Sequence, residues 1–290
     1  MTDTHTISDG GITAVIKAGG AELCSLKTAG GRELLWQAGP AWPRHAPWLF
    51  PIVGRLKDDE LHHRGQTIKM TQHGFARDLR FAWLEQTPQS CALQLVDSET
   101  TRARYPFAFR LTITYRIDAG SLQATIEIAN PGDQVLPASF GAHPAFNWPL
   151  APGQPKESYR LMFPQAEPAP IRRLAGGLLL EKPRPSPIKG TVLPLSEALF
   201  ADDAVILDAV KSRSVRYEGA AGPSIELAWD GFRELGIWSK PDGAPFLCIE
   251  PWRGFASPVG FDGAFVDKPG LMHIAPDAAE TLSYRITVHG

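Results

Sequence analysis

A chain of 290 residues, 43% of them hydrophobic, can bury a large core, and its length fits one large all-β unit or two smaller ones. A formal net charge of −2 supplies no global positive field, which argues against nucleic acid or an anionic membrane surface as the main partner and favours a small neutral ligand. No run of about eighteen apolar residues occurs, and the polar start from Met1 to Gly10 lacks the basic and apolar segments of a secretory signal, so a cytoplasmic protein is expected.

Taken in chain order, short extended segments are predicted at 12–18, 21–27, 33–37, 80–86 and 92–96. The clearest pattern follows. Leu111, Ile113, Tyr115 and Ile117 alternate with Thr112, Thr114 and Arg116, and Leu122, Ala124, Ile126 and Ile128 repeat the alternation. Asp118-Ala119-Gly120-Ser121 supplies turn chemistry between them, so an antiparallel hairpin with one buried face is predicted. Further segments fall at 159–163, 205–207, 224–229, 235–239, 246–250 and 283–288, and a helical turn is expected at Glu197–Phe200 with Ser196 as its N-cap. With 26 prolines and 27 glycines between them, these segments read as a large antiparallel β-sandwich of the all-β class rather than as βαβ units. Pro183, Pro185 and Pro187 stiffen one connection, but strands of the same type lie on both sides, so a single domain spanning 1–290 is expected.

Three motifs carry the candidate chemistry. They are Gln72-His73-Gly74-Phe75-Ala76-Arg77-Asp78, Gly141-Ala142-His143-Pro144-Ala145-Phe146-Asn147 and Cys248-Ile249-Glu250-Pro251-Trp252. His73 and His143 sit among small or turn-forming residues that let a ligand approach the ring, unlike His45, His62, His63 and His273. Glu250 follows the apolar run Phe246-Leu247-Cys248-Ile249, and because Pro251 is expected to end strand pairing, its carboxylate is predicted at a sheet rim. An imidazole and a carboxylate on opposite sides of a small substrate could take one proton and deliver another, a division of labour worth roughly 10²–10⁴-fold in rate. Glycoside hydrolysis normally needs two flanking carboxylates, and only Glu250 lies in a convincing motif.

Aromatic residues gather around the same motifs: Phe146 and Trp148, then Trp238, then Trp252. Rings of this kind can cover the C–H face of a sugar, and a Trp N–H can reach a hydroxyl. Arg55, in Val53-Gly54-Arg55-Leu56, offers a fork of donors for vicinal hydroxyls, or else a surface charge paired with Asp58, Asp59 or Glu60. Cys24, Cys91 and Cys248 lack metal-ligand spacing and read as buried reduced thiols, while adjacent His62 and His63 would point to opposite faces of a strand, so no metal and no cofactor are expected.

The succession of Gly54-Arg55, His73, His143 and Glu250 resembles the aldose 1-epimerase (mutarotase) family over most of the chain. The resemblance implies a β-sandwich with a sugar site on one open face, His143 as general acid, Glu250 as general base, and His73 and Arg55 as substrate-binding partners. Asp202 or Asp203, the latter preferred, falls where the family has a hydroxyl-binding acidic residue. Phe75 and Trp252 stand where the best-known galactose mutarotases tend to have glycine and glutamine, so galactose is not implied. The implied reaction interconverts hexose anomers by ring opening and reclosure, with His143 cationic when the sugar binds. A hexose 6-phosphate epimerase using Arg44, Arg77 or Arg253 and a carbohydrate-binding module without turnover are the alternatives.

Overall fold

The computed structural model describes residues 3–290, and the first two positions of the expected 1–290 unit lie outside the described residues. Among the described residues, strand pairing is antiparallel and two sheets dominate. The larger has nine strands in the order Val192–Pro194, Arg160–Met162, Ser214–Glu218, Ser224–Asp230, Ala279–His289, Ser121–Ala129, Arg110–Asp118, Ser90–Val96 and Ala82–Gln86. The smaller runs Val205–Leu207, Glu234–Trp238, Phe246–Arg253, Phe140–Ala142 and Trp48–Leu49, with Ala145–Asn147 also paired to Phe246–Arg253. The chain is therefore an antiparallel β-sandwich, as the alternating segments predict.

The central hairpin shows why. Leu122 faces Ile117 and Ile126 faces Ile113 across the strands, with all four side chains buried. Ala119 and Gly120 both have positive φ, 48° and 72°, the conformation that matches a two-residue connection to the right-handed strand twist. The buried face of the large sheet meets the inner face of the small one through aromatic rings. The Trp48 ring centroid lies 5.5 Å from that of Tyr284, and the Trp48 indole N–H donates to Tyr115 Oη at 2.9 Å. Leu235, Ile237, Leu247 and Ile249 of the small sheet belong to the same core.

Several local expectations change. Segment 33–37 joins neighbours through isolated bridges only, because the Glu33 carboxylate accepts from the Leu26 and Leu35 amides and takes the place of a ladder. The turn at Glu197–Phe200 forms as a 3₁₀ helix, but Ser196 makes no side-chain cap. Cys91 and Cys248 are buried and Cys24 is only half-buried, and each is a free thiol. Proline-rich residues 181–185 are exposed, as a surface connection requires. No helix among the described residues is long and apolar enough to cross a membrane.

The strand Phe246–Arg253 does not end at Pro251. It continues to pair with Glu234–Trp238 through Leu235 opposite Pro251 and Glu234 opposite Trp252. On its other edge, pairing is shared by Ala145–Asn147 and Phe140–Ala142, with an interruption at His143-Pro144. The missing N–H of Pro251 falls at that interruption and leaves no ladder donor to lose. Glu250 is consequently an interior residue of a central strand, 1% exposed, and not a rim residue.

Gly74 closes the entry to this sheet. Its φ is +70°, and a Cβ built there would lie 2.2 Å from the Phe50 carbonyl oxygen, which accepts from the Phe75 amide at 3.0 Å. Gly74→Ala is expected to cost about 2 kcal/mol or more, combining left-handed strain with displacement of backbone. Urea denaturation should read this as a lower midpoint at unchanged slope.

Candidate active site

The register around the interruption builds the site. Gly141 faces Trp252 and Ala145 faces Cys248, so the same register sets His143 directly opposite Glu250. Ile249 donates its N–H to the Pro144 carbonyl, which makes the neighbouring His143/Glu250 position a non-hydrogen-bonded pair, where side chains approach most closely. His143 Nε2 lies 3.1 Å from Glu250 Oε2. Strand alternation sends Leu247 and Ile249 into the core and leaves Phe246, Cys248, Glu250 and Trp252 on the outer face of the small sheet.

That face is the floor of a cavity of about 290 Å³. Its walls are loops carrying Trp42, Gly54, Gln72, His73, Arg77 and Asp203, with Trp238, Glu250 and Trp252 from the sheet. Trp252 can lie flat because the residues that meet its ring on the two flanking strands, Gly236 and Gly141, are glycines. A Cβ on Gly236 would meet the Trp252 ring at 2.4 Å, and one on Gly141 at 2.8 Å. The ring thus forms a fixed apolar surface beside the carboxylate.

His143 is 7% exposed and enclosed by aromatic rings. Trp42 stacks on it at 4.9 Å between centroids, Trp238 meets it edge-on at 5.9 Å, and His73 stands nearly perpendicular at 5.8 Å. His73 Nδ1 accepts from the Gly54 amide at 3.1 Å, which keeps the proton on Nε2, and the Gln72 side-chain amide beside it can accept from that N–H only by turning its oxygen to the ring. Burial and the nearby His143, Arg77 and Arg44 push the His73 imidazole well below the ordinary histidine value.

Burial also governs the central pair. It raises the Glu250 carboxyl well above the usual carboxylate range, with the Trp252 indole opposing and the Asp203 charge reinforcing. It pushes His143 down to about 3, with Arg77 and Arg44 adding repulsion. Both directions favour neutral groups in the free site, a carboxylic acid beside a neutral imidazole, so a cationic His143 has to arise when the sugar binds. His143 Nδ1 and both Glu250 oxygens are buried without a geometrically good hydrogen-bond partner among the described residues. They are unspent polar atoms at the cavity floor.

The predicted residues separate into two groups. His143, Glu250, His73, Asp203, Trp238 and Trp252 all line the cavity. Arg55 does not: its Nε and Nη2 donate to the two Asp59 oxygens at 2.7 and 2.6 Å, and Nη1 reaches the Gly176 carbonyl at 3.3 Å. The carboxylate four residues on satisfies the fork, and Arg55 ties two wall loops together from outside. Phe146 and Trp148 are buried in the core. His143 and Glu250 stand side by side on one wall and do not face each other across the cavity.

Trp42 was not foreseen. It sits in Pro40-Ala41-Trp42-Pro43, a turn-rich stretch without periodicity, where an aromatic flanked by prolines is the one available signal. Arg77, expected only as a phosphate ligand, lines the cavity, donates Nη2 to the Gln72 carbonyl at 2.7 Å and keeps Nε buried without a hydrogen bond, 3.9 Å from Asp78 Oδ2. Ligand atoms of His143, Cys248 and Glu250 lie within 4.8 Å of one another, the group best arranged to hold a metal ion among the described residues.

Known proteins share this architecture. Residues 3–264 match the family described as Aldose 1-epimerase. Protein LacX of Lactococcus lactis subsp. lactis is 32% identical over 288 residues, covering 96% of each chain. The structure of a galactose mutarotase related enzyme from Lactobacillus acidophilus superposes with a TM-score of 0.92 at 33% identity, covering 99% of this chain and 97% of that one. A galactose mutarotase-like protein from Lactobacillus casei gives 0.91 at 28% identity, covering 99% and 100%. With a family match over most of its length and a sandwich that superposes on a galactose mutarotase related enzyme over nearly the whole chain, this chain belongs to the aldose 1-epimerase family.

Proposed function

We propose that the protein is an aldose 1-epimerase that interconverts the α and β anomers of a hexose, with His143 and Glu250 as its acid/base pair. The observation that carries this reading is the 3.1 Å contact between His143 Nε2 and Glu250 Oε2 on the floor of a closed-in cavity. The ring oxygen and the anomeric hydroxyl of a pyranose are bonded to the same carbon, C1. Two groups that stand side by side therefore reach both oxygens, whereas groups on opposite walls would not. A cavity of about 290 Å³ lies at the small end of ligand sites, roughly 300–1,000 Å³, and suits one sugar ring.

In the proposed cycle the pair holds one proton. Transfer of that proton from Glu250 to His143 when the sugar displaces water creates a carboxylate and an imidazolium without exchange with solvent. Glu250 then takes the C1 hydroxyl proton as His143 delivers one to the ring oxygen, and the ring opens. Rotation about C1–C2 and the reverse transfers close it as the other anomer. Trp252 and Trp238 offer apolar surface to the sugar C–H groups, and His73, Asp203 and Arg77 offer polar groups to its hydroxyls.

A second reading, a hexose 6-phosphate as substrate, is favoured by one observation: Arg77 lines the cavity with a buried Nε that makes no hydrogen bond and only a 3.9 Å ion-pair contact to Asp78, while burial and then Arg44 depress Arg77 to about 10. Arg44 is engaged by Asp78 at 2.8 Å, and Arg253 lies among Arg233, Glu234 and Glu280, so neither is a free phosphate ligand. Anomer-exchange NMR with matched free and phosphorylated hexoses distinguishes the two, and a strong preference for the phosphate would replace the first choice. Sugar binding without faster anomer exchange would instead identify a binding module.

His143→Gln and Glu250→Gln are each expected to lower the polarimetric rate by about 10²-fold or more with the fold retained. Glu250→Gln should leave the thermal midpoint nearly unchanged, since a neutral amide replaces a carboxyl that burial already holds neutral. Near-normal turnover in either variant would remove that residue from the mechanism.

Turnover needs one proton on the pair. At low pH a second proton occupies the acceptor and activity falls, and because burial depresses the first protonation of His143 to about 3, this acid limb is displaced downward. The kcat/KM profile is expected to stay flat well below the ordinary histidine range of about 6.5. A limb at that ordinary value would contradict the shared-proton state.

A further inference from the structure

The outer face of Phe246–Arg253 carries a feature that anomer exchange does not use. Cys248 lies two residues before Glu250, on the same face of the strand, fully buried beneath Trp42 and Trp238. Its thiol meets the imidazole of His143 and the carboxyl of Glu250 so that one donor atom from each falls within 4.8 Å of the others, and His143 Nε2 and Glu250 Oε2 are already 3.1 Å apart. Sulfur, nitrogen and oxygen donors thus converge where both Glu250 oxygens lack a good hydrogen-bond partner.

We propose that His143, Cys248 and Glu250 form a binding site for a soft divalent cation, zinc in particular, and that occupancy inhibits the enzyme. Zinc prefers four-coordinate sites with bonds of about 2.3 Å to sulfur and about 2.0–2.2 Å to nitrogen and oxygen, which places tetrahedral donors roughly 3.3–3.7 Å apart. The imidazole–carboxyl contact is slightly inside that range and the remaining separations reach up to about 1 Å beyond it, so the donors close in on the ion as it binds. Hard cations are excluded by the donor set, because calcium takes 6–8 oxygens and magnesium near-octahedral oxygen.

Charge favours the same ion. The free site holds a neutral imidazole, a thiol and a carboxylic acid. Binding of Zn²⁺ releases one proton from Cys248 and one from Glu250, and the resulting imidazole, thiolate, carboxylate and dication sum to zero. A dry cavity floor then carries no net charge in either state, which avoids the large desolvation cost of an unpaired ion. Three protein donors leave the fourth position of a four-coordinate ion for a water molecule.

Metal in this position occupies His143 Nε2 and a Glu250 oxygen, the atoms that move protons in the proposed cycle. The inhibitory consequence rests on the epimerase reading, but binding does not. Cys248 takes no part in the sugar chemistry, so its removal separates the two.

The test is titration of the full chain, under a non-chelating reductant, with Co²⁺ as the spectroscopic probe and Zn²⁺ as competitor. The expected result is a stoichiometric thiolate-to-cobalt charge-transfer band, bleached by Zn²⁺, with Zn²⁺ arresting anomer exchange of the wild type. Cys248→Ser and Cys248→Ala should abolish the band and weaken Zn²⁺ inhibition by roughly 100-fold or more, since loss of even an outer-shell partner costs about 10–100-fold in affinity. Both variants should keep metal-free activity. Absence of the band, or unchanged Zn²⁺ sensitivity in both variants, would overturn the site. A wild-type band in a protein without epimerase activity would uphold the metal site and overturn the functional reading instead.

Discussion

A cross-strand register organises this molecule's site. The strand formed by residues 140–147 breaks at His143-Pro144 while keeping step with Phe246–Arg253 on both sides of the break, so His143 comes to lie opposite Glu250. Two prolines, Pro144 and Pro251, fall at the interruption, where absent N–H groups leave no ladder unpaired. The backbone of a central strand is among the most firmly held parts of a sheet. Glu250 lies in such a strand, and His143 is held opposite it by paired segments on both sides of a two-residue break, so their separation is a property of the fold.

Desolvation then determines protonation. The aromatic enclosure of His143 and the complete burial of Glu250 penalise charge on either group, and both stay neutral at a separation of 3.1 Å when burial dominates. Two further buried titratable groups hold backbone at the edge of the cavity. Glu234 accepts from the Gly254 amide at 2.8 Å, while Lys268 donates to the Phe255 and Pro269 carbonyls and lies over the Phe255 ring. Burial lowers Lys268 to about 7 and raises Glu234 above the usual range. These contacts pin the backbone at 254–256, from which Ala256 reaches the cavity wall.

The sequence made the sandwich and the floor of the site legible through different signals. Period-two alternation exposes one-sided strands such as Arg110–Asp118, and it fails for Phe246–Arg253 because that strand is covered on both faces and reads as a continuous apolar run. Reading Pro251 as a terminator followed a sound local rule, but the compensating gap belonged to a segment more than a hundred residues earlier in the chain. Short strands such as Trp48–Leu49 and Ala145–Asn147 exist through pairing partners and carry no pattern of their own. The wall residues were least visible. Trp42 and Arg77 reach the cavity from irregular loops, and Arg55 was drawn away by Asp59, a competitor four residues along that the motif alone could not rank against a sugar.

This contrast between floor and wall has a physical consequence for how the family's fold can vary. The floor is constrained from two sides: Gly141 and Gly236 must stay small for Trp252 to lie flat, and the inner face of the same strand is locked into the core through Leu247 and Ile249. A change on the floor therefore disturbs packing as well as chemistry. Wall residues such as Gln72 and Asp203 are exposed and come from connections, where substitution costs little stability. In the proposed reaction, proton transfer at C1, common to any aldose, falls to the part of the structure that resists change, and recognition of the remaining hydroxyls to the part that tolerates it.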